Sequence, residues 1–385
     1  MRNLLILLIA LICNSSYSQT VHTWMGAKMD GSKLLQTGPI VETWGYGLYT
    51  QGLWGISLPA PLLEYTKDDS VTIHMINDSP EDHTIHLHGL DVSTLNDGVP
   101  TTSFAVDPDD TAHYNFVANN PGIYLYHCHV LTTLHLTMGM YGMIIIHEDD
   151  NQNTLFQGGP SYQTAYNFLS SDMDESINFN PLSPGPFNEF EMDYFMVNGN
   201  SGDQLYDHPA HHVTAYTGDS VLIRLGSMAY SKTRYIFPPE LNARAYSSDG
   251  RELPNPFDCD TLVMHSGERY QVLLTPTADV DTDIIVESIE MRNDQIKHTN
   301  LIKLNGDLSF EENGTKNFDV YPNPAKNKLQ IKGDFEGELL IYDLNGRLVK
   351  RFSNVQNATL DISDLQSGQY ILRHNDQSKK LVILK

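Results

Sequence analysis

Two short runs, HTIHLHG (His83, His86, His88) and YHCHVLTTLHLTMGM (His127, Cys128, His129, His135, Met140), gather imidazole, thiolate and thioether donors into one part of the chain. Successive side chains of a β-strand point to opposite faces, so a strand reading GIYLYHCH sends His127 and His129 one way and Cys128 the other. The same alternation puts His86 and His88 on a common face with Leu87 opposed, and leaves His83 free to join Cys128. One strand can then feed two metal centres. The first is a mononuclear set of His83, Cys128, His135 and Met140; the second is a four-imidazole face of His86, His88, His127 and His129. A Cys with two His and a weak axial Met is the donor set of a blue-copper electron-transfer site. A lone His is ordinarily a surface or satisfied core residue, and 16 His in 385 residues is no large excess; the spacing carries the reading. Structural zinc sites favour several thiolates and have no use for a thioether.

A chain of 385 residues has room for two or three domains. The 27 Gly and 19 Pro punctuate short apolar runs rather than long helical ones. VTIHMIN, HYNFVA, GIYLYH and YGMIIIH carry β-branched and aromatic residues between turn signals, at the spacing of all-β sandwiches. The formal net charge of -24 opposes binding to a nucleic-acid backbone and suits a soluble extracellular protein.

The N-terminus, MRNLLILLIALICNSSYSQ, has a basic start, an apolar core from Leu4 to Ile12, and small residues Ser16 and Ser18 placed for cleavage before Gln19. It reads as a secretory signal over residues 1–18. Ile12 stands where lipoprotein processing at Cys13 would need a small residue. Removing the signal leaves Cys128 and Cys259; a coordinated Cys128 is unavailable for a disulfide, so Cys259 is expected as a free thiol.

These residues resemble the multicopper oxidases, a family that includes the laccases. HTIHLHG is similar to the family's HxxHxHG motif, NDGVP (Asn96 to Pro100) to its DGVP turn, and YHCHVLTTLHLTMGMYG to its HCH, His and Met pattern. The resemblance implies an all-β fold of two cupredoxin-like Greek-key sandwiches. It implies type 1 copper at His83, Cys128, His135 and Met140, and half of an oxygen-reducing type 2/type 3 cluster at His86, His88, His127 and His129. Five residues separate His129 from His135, two more than is usual in laccases, and Met138 could compete with Met140 as axial ligand. In the turn that precedes VTIHMIN, Lys67, Asp68 and Asp69 stand where the family has a glycine.

The first domain is expected over 20–148 and a patternless linker or long surface loop over 149–189. A second, copper-free cupredoxin-like domain is expected over 190–306, from FMVNG (Phe195 to Gly199), TGDSVLIRL (Thr217 to Leu225), SSDG (Ser247 to Gly250) and HSGERYQVLL (His265 to Leu274). Where a cluster-forming second domain would carry its own HxxHxH, this chain has GSMAYSKTRYIF (Gly226 to Phe237). In the family such a cluster takes eight imidazoles from two domains, so one chain supplies half. Two copies could pool their faces in a homo-oligomer. His208, His211 or His212 in YDHPAHH could instead cap a smaller site at a subunit boundary, as in copper nitrite reductases, or simply form a solvated turn. The face could also hold less copper, leaving an electron-transfer or copper-binding protein without turnover.

The tail is distinct. From Phe318, DVYPNPAKNKLQI, GELLIYDLNGRLVK, ATLDISDL and SGQYILR form a series of short strands with an Asn-Gly turn at Asn345 and Gly346. Residues 318–385 resemble the type A sorting domain of the Bacteroidota type IX secretion system, a small β-sandwich. That implies the type IX machinery as a partner and a secreted or cell-surface location. The oxidase reading has a small-molecule donor, phenolic by family default, giving electrons at an exposed edge of His83 or His135. Cys128 would pass them through its neighbours to a centre that reduces dioxygen or another small oxidant such as nitrite.

Overall fold

The computed structural model describes residues 19–35, 38–49, 55–148, 153–182, 190–280, 282–305 and, in the tail, 318–323, 325–333, 337–343, 348–355, 359–366, 368–374 and 377–383. The signal segment, Trp54, Pro324, Ser367 and the Asn345-Gly346 turn lie outside the described residues.

The first sandwich has eight strands: β1 (Thr20–Leu34), β2 (Ile40–Leu48), β3 (Leu63–Thr66), β4 (Ser70–Asn77), β5 (His86–His88), β6 (Thr111–Val117), β7 (Gly122–His127) and β8 (Tyr141–His147). They form two sheets, ordered β2-β1-β4-β6 and β3-β8-β7-β5. β4 alternates cleanly, Val71, Ile73, Met75 and Asn77 inward, as a strand with one wet face must. β7 is buried along its whole length, and β8 along all but its last residue. One face meets the sandwich core and the other meets the second domain, where Ile123, Leu125, Tyr141, Met143 and Ile145 join Leu169 and Met228 in one apolar cluster. At the turn without the family's glycine, Asp68 takes the left-handed conformation itself, φ 68°. A short polar side chain tolerates that backbone best after glycine.

The second sandwich contains β9 (Thr164–Met173), β10 (Tyr194–Val197), β11 (Val221–Ser227), β12 (Lys232–Ile236), β13 (Arg244–Ser248), β14 (Arg251–Asp258), β15 (Thr261–Met264), β16 (Arg269–Leu274), β17 (Ile284–Ile289) and β18 (Ile296–Ile302). Their sheets run β10-β9-β11-β16-β13-β14 and β15-β12-β17-β18. The segment expected as linker therefore holds an interior strand, β9, parallel to β11. It also holds a short helix over Glu175–Phe179. Polar side chains hid the strand: Ser170, Ser171 and Asp172 are buried, and Asp172 accepts from the backbone N–H groups of Tyr230 and Ser231, both at 2.8 Å.

The tail strands β19 (Phe318–Tyr321), β20 (Lys328–Gly333), β21 (Gly337–Asp343), β22 (Leu348–Val355), β23 (Thr359–Asp361), β24 (Gly368–His374) and β25 (Gln377–Ile383) make two further sheets, β19-β20-β23 and β22-β21-β24-β25. They enclose their own core around Leu329, Ile341, Leu360 and Leu381. The molecule is all-β, as the strand signals predict.

Candidate metal centres

The first donor set is assembled from three pieces of backbone, each fixed independently. His83 is held by a two-bond bridge to Val106, N–H to O 3.1 Å and O to N–H 2.9 Å. Cys128 follows the end of β7, its N–H bonded to Met140 O at 3.1 Å. The long spacing between His129 and His135 is taken up by helix α1 (Thr132–Met138), which carries His135. Gly139 ends the helix at φ 111°, and a Cβ there would lie 2.7 Å from Leu58 Cδ1 and 3.0 Å from Trp44 O. Only glycine makes that reversal, which delivers Met140 N–H to His135 O at 2.9 Å.

His83, Cys128, His135 and Met140 are each 0% exposed. Cys128 Sγ lies 3.1 Å from His135 Nδ1 and 3.6 Å from His83 Nδ1, and the three donor atoms fall within 4.8 Å of one another. Burial lowers the pKa of His83 to about 3 and of His135 to about 4, so both rings are neutral at physiological pH and can donate lone pairs. Burial pushes the Cys128 thiol up, and hydrogen bonds from Thr84 oppose it. A buried thiol between two neutral imidazoles is an unfavourable place for a thiolate alone and a suitable one for a thiolate bound to a cation. Buried His83 Nε2 and His135 Nε2 make no hydrogen bond, and the Nδ1 of each ring faces Cys128 Sγ. The donor set fits copper. Met138 is also fully buried, but its Sδ is 3.6 Å from Asn178 Nδ2 in helix α2 (Glu175–Phe179).

No edge of His83 or His135 reaches solvent, contrary to expectation. Two groups stand between His135 and the outside. Its Nε2 is 3.6 Å from Glu81 Oε2, on a side chain 36% exposed. Trp44 meets the ring edge-on at 5.4 Å, with its own N–H donated to Glu42 Oε1 at 2.9 Å.

The second set lies on the opposite face of the same strand. β5 pairs antiparallel with β7, His86 directly opposite His127. Ring centroids are 5.0 Å apart for His86 and His127, 5.2 Å for His86 and His129, and 5.5 Å for His88 and His127. One nitrogen each from His86, His88 and His127 falls within 4.8 Å of the others; His129 flanks them and its N–H is anchored on Thr84 Oγ1 at 2.8 Å. Tautomers follow from the partners. His86 Nδ1 is 2.7 Å from Asp97 O and His127 Nδ1 is 3.0 Å from Cys128 O; a carbonyl can only accept, so Nδ1 carries the proton and Nε2 is free to ligate. The DGVP turn thus acts through Asp97, a role its sequence did not reveal. Burial lowers His127 to about 3 and His88 to about 4, and lowers His86 as well.

The second domain walls this face, and among the described residues it adds no imidazole to the metal-capable group of His86, His88 and His127. Gly267 approaches it so closely that a Cβ would lie 2.9 Å from His88 Cε1. Arg269, 4% exposed, donates to Ile123 O at 3.4 Å and to Gly267 O, and pairs with Asp249 at 3.1 Å. Within one chain the YDHPAHH histidines are held by protein partners rather than forming a solvated turn. His211 is 3% exposed and bonds Asn200 Nδ2 at 3.1 Å, His208 caps a short helical turn, and His212 bonds Tyr206 O at 2.8 Å. Cys259 is a free buried thiol.

Comparison with known proteins agrees. Residues 42–151 match the family model described as multicopper oxidase, and residues 319–384 match the one described as secretion system C-terminal sorting domain. Copper resistance protein A of Escherichia coli is 26% identical over 277 residues, 60% of this chain and 44% of its own length. Laccase-15 of Oryza sativa subsp. japonica is 42% identical over 76 residues, 19% of this chain and 13% of its own. The chain spans less than half the length of these relatives. Among solved structures, the blue copper oxidase from Nitrosomonas europaea superimposes with a TM-score of 0.59 at 23% identity, covering 74% of this chain and 86% of that one. The copper nitrite reductase from the same organism gives 0.59 at 20% identity, covering 75% and 95%. The chain therefore joins a multicopper-oxidase domain to a C-terminal sorting domain, and copper is the metal of that family.

Proposed function

We propose that this chain is an exported copper oxidoreductase. His83, Cys128, His135 and Met140 hold a type 1 copper, and His86, His88, His127 and His129 hold a second copper centre. A phenolic or similar small donor is oxidised one electron at a time, with dioxygen as acceptor. One observation carries the reading: the Cys128 side chain belongs to the first donor set while its two chain neighbours belong to the second. Copper in these sets supplies one-electron redox chemistry, acceptance at the thiolate site and delivery to a small oxidant at the imidazole site.

The chain's own residues make that division possible. One peptide unit on either side of Cys128 links the two donor sets covalently, and the 3.0 Å hydrogen bond between His127 Nδ1–H and Cys128 O adds a second link. Met140 is the thioether of the first set, because Met138 is turned to Asn178. Glu81 is placed to take the proton a phenol loses, at the outward end of His135. Full burial of the first set keeps oxidant and solvent away from the thiolate.

A second reading rests on Gly267 and Arg269, which occupy the second-domain side of His88. With no imidazole added there among the described residues of its own second domain, a single chain would be an electron shuttle. Alternatively, a site shared between copies would turn over dioxygen or, as in a nitrite reductase, a smaller anionic oxidant. The sorting domain supports export to the cell surface or medium of a Bacteroidota-type bacterium through type IX machinery.

Copper-loaded protein is expected to be blue, and Cys128→Ser colourless; a variant that stays blue ends the assignment. Copper per chain, oligomer mass and oxygen uptake with a phenolic donor then separate oxidase from shuttle: one copper and no uptake leaves the shuttle.

A further inference from the structure

Neither donor set uses the three imidazoles on the outer face of the β2-β1-β4-β6 sheet. Alternation turns Met25, Ile73, Met75 and Tyr114 into the core, and so turns His22, Trp24, His74 and His113 outward. Register makes them neighbours. His74 lies directly opposite His113 across the antiparallel β4/β6 pair, and Trp24 directly beside His74 across the parallel β1/β4 pair.

The rings are in close contact. His22 Nδ1 is 2.9 Å from His74 Nε2, and His74 Nδ1 is 2.9 Å from His113 Nδ1. The Trp24 indole stacks on His74 with centroids 4.0 Å apart and planes 11° from parallel, which fixes the plane of the central ring. A neutral imidazole carries one N–H, so His74 can donate to only one of its two neighbours. If it donates Nε2–H to His22, its Nδ1 lone pair is left facing His113 Nδ1. Burial and its two imidazole neighbours lower the pKa of His74, which favours the neutral ring this arrangement needs.

The spacing selects an ion. With metal–nitrogen bonds of about 2.0–2.1 Å, two ligands at 90° sit about 2.9 Å apart and two at the tetrahedral angle about 3.3 Å apart. The 2.9 Å separation of His74 Nδ1 and His113 Nδ1 is a hydrogen bond in the metal-free chain, and an ion replacing its proton needs little change of spacing if it takes the two nitrogens at a right angle, as square-planar or octahedral Cu(II) and Ni(II) do. With His74 held by Trp24 and His22, rotation of the outward His113 ring about its terminal torsion, a soft coordinate, turns its Nδ1 lone pair toward an ion on His74 Nδ1. The chain's net charge of -24 raises the local concentration of cations.

We propose that His74 and His113 form a surface site for one Cu(II)- or Ni(II)-like divalent ion, completed by water, with His22 as the positioning residue that fixes the tautomer of His74. The site is independent of the copper centres and of the activity assigned to them.

The test is equilibrium dialysis of the copper-loaded protein against Ni2+ alone, with metal analysis. Wild type takes up one Ni2+ per chain more than His113→Ala or His113→Asn, and His22→Ala binds that ion about 10–100-fold more weakly, the usual cost of losing an orienting partner. The bound ion quenches tryptophan fluorescence through Trp24, so Trp24→Phe abolishes most of the quenching while keeping the Ni2+ uptake. Equal Ni2+ uptake by wild type and both His113 variants overturns the site. Unchanged affinity in His22→Ala overturns its positioning role, and unchanged quenching in Trp24→Phe puts the ion elsewhere.

Discussion

Replacing Gly267 by alanine asks whether the second domain shapes the imidazole face. Gly267 sits at φ 85°, where a Cβ would lie 2.9 Å from His88 Cε1 and 3.2 Å from His88 Nε2. Holding an alanine in the left-handed region costs about 1–2 kcal/mol. At roughly 2–4 °C per kcal/mol for a domain of this size, backbone strain alone lowers Tm by roughly 2–8 °C. The second effect is local. His88 must move by a few tenths of an ångström, and its Nδ1 now stands 3.3 Å from His127 Nε2, so a ligand nitrogen is displaced from its partner. A loss of about tenfold in copper affinity at that face is expected, by analogy with removing an orienting group. Gly218 supplies the control, with φ 91° and nothing within 4 Å of its Cβ position. Gly218→Ala should show the same fall in Tm with full copper retention. Gly267→Ala should lose copper from the imidazole face while keeping the thiolate absorption of the first site. Thermal denaturation, copper content after dialysis against a graded chelator, and visible spectra read all three quantities. Equal copper retention by the two variants would refute the claim that Gly267 makes room for His88.

Two further outcomes follow from the buried donor side chains. Met140→Leu should shift the potential and colour of the blue site while Met138→Leu leaves both unchanged, read by redox titration and absorption; a spectral change confined to Met138→Leu reverses the choice of thioether. The apoprotein should lose stability steeply in acid. His83, His127 and His211 titrate at about 3 and His88 and His135 at about 4 in the folded chain against 6.5 ordinarily, so at these five rings alone the unfolded chain binds up to five more protons. The stabilisation is fully present above pH 6.5 and is lost as pH falls toward 4 and 3, at up to about 7 kcal/mol per pH unit from these five. Urea midpoints at pH 7.5 and 5 measure it, and a pH-independent midpoint contradicts the buried neutral rings.

The two-sided arrangement of donors was legible because it depends only on strand alternation, and β5 and β7 are strands at HLH and GIYLYH. Helix α1 was not legible. TTLHLTM has β-branched Thr at three of seven positions, poor helix formers, and forms a helix because tertiary packing buries Leu134 and Met138. β9 was hidden for a related reason. Its Ser170 and Asp172 read as surface residues until distant chain brings them partners, Tyr235 OH to Ser170 at 2.7 Å among them. The burial of His135 was out of reach for the same cause, since Trp44 and Glu81 approach it from other parts of the chain.

The two donor sets differ in what they ask of the rest of the molecule. Every residue of the first lies between His83 and Met140, and its walls belong to the first sandwich and α2. The second is closed on one side by Gly267 and Arg269, so its shape depends on the interface between sandwiches. Tyr124, Arg251 and Asp91 tie that interface beside it, with Arg251 bonded to Tyr124 OH at 3.2 Å and Asp91 at 2.6 Å. Gly267 therefore bears directly on the position of His88. His86 and His129 are half-buried, and under the proposed function a further ligand, from a second copy or a small oxidant, would arrive on that side. Acceptor chemistry would then be decided there, while the thiolate set would bind its metal without that partner.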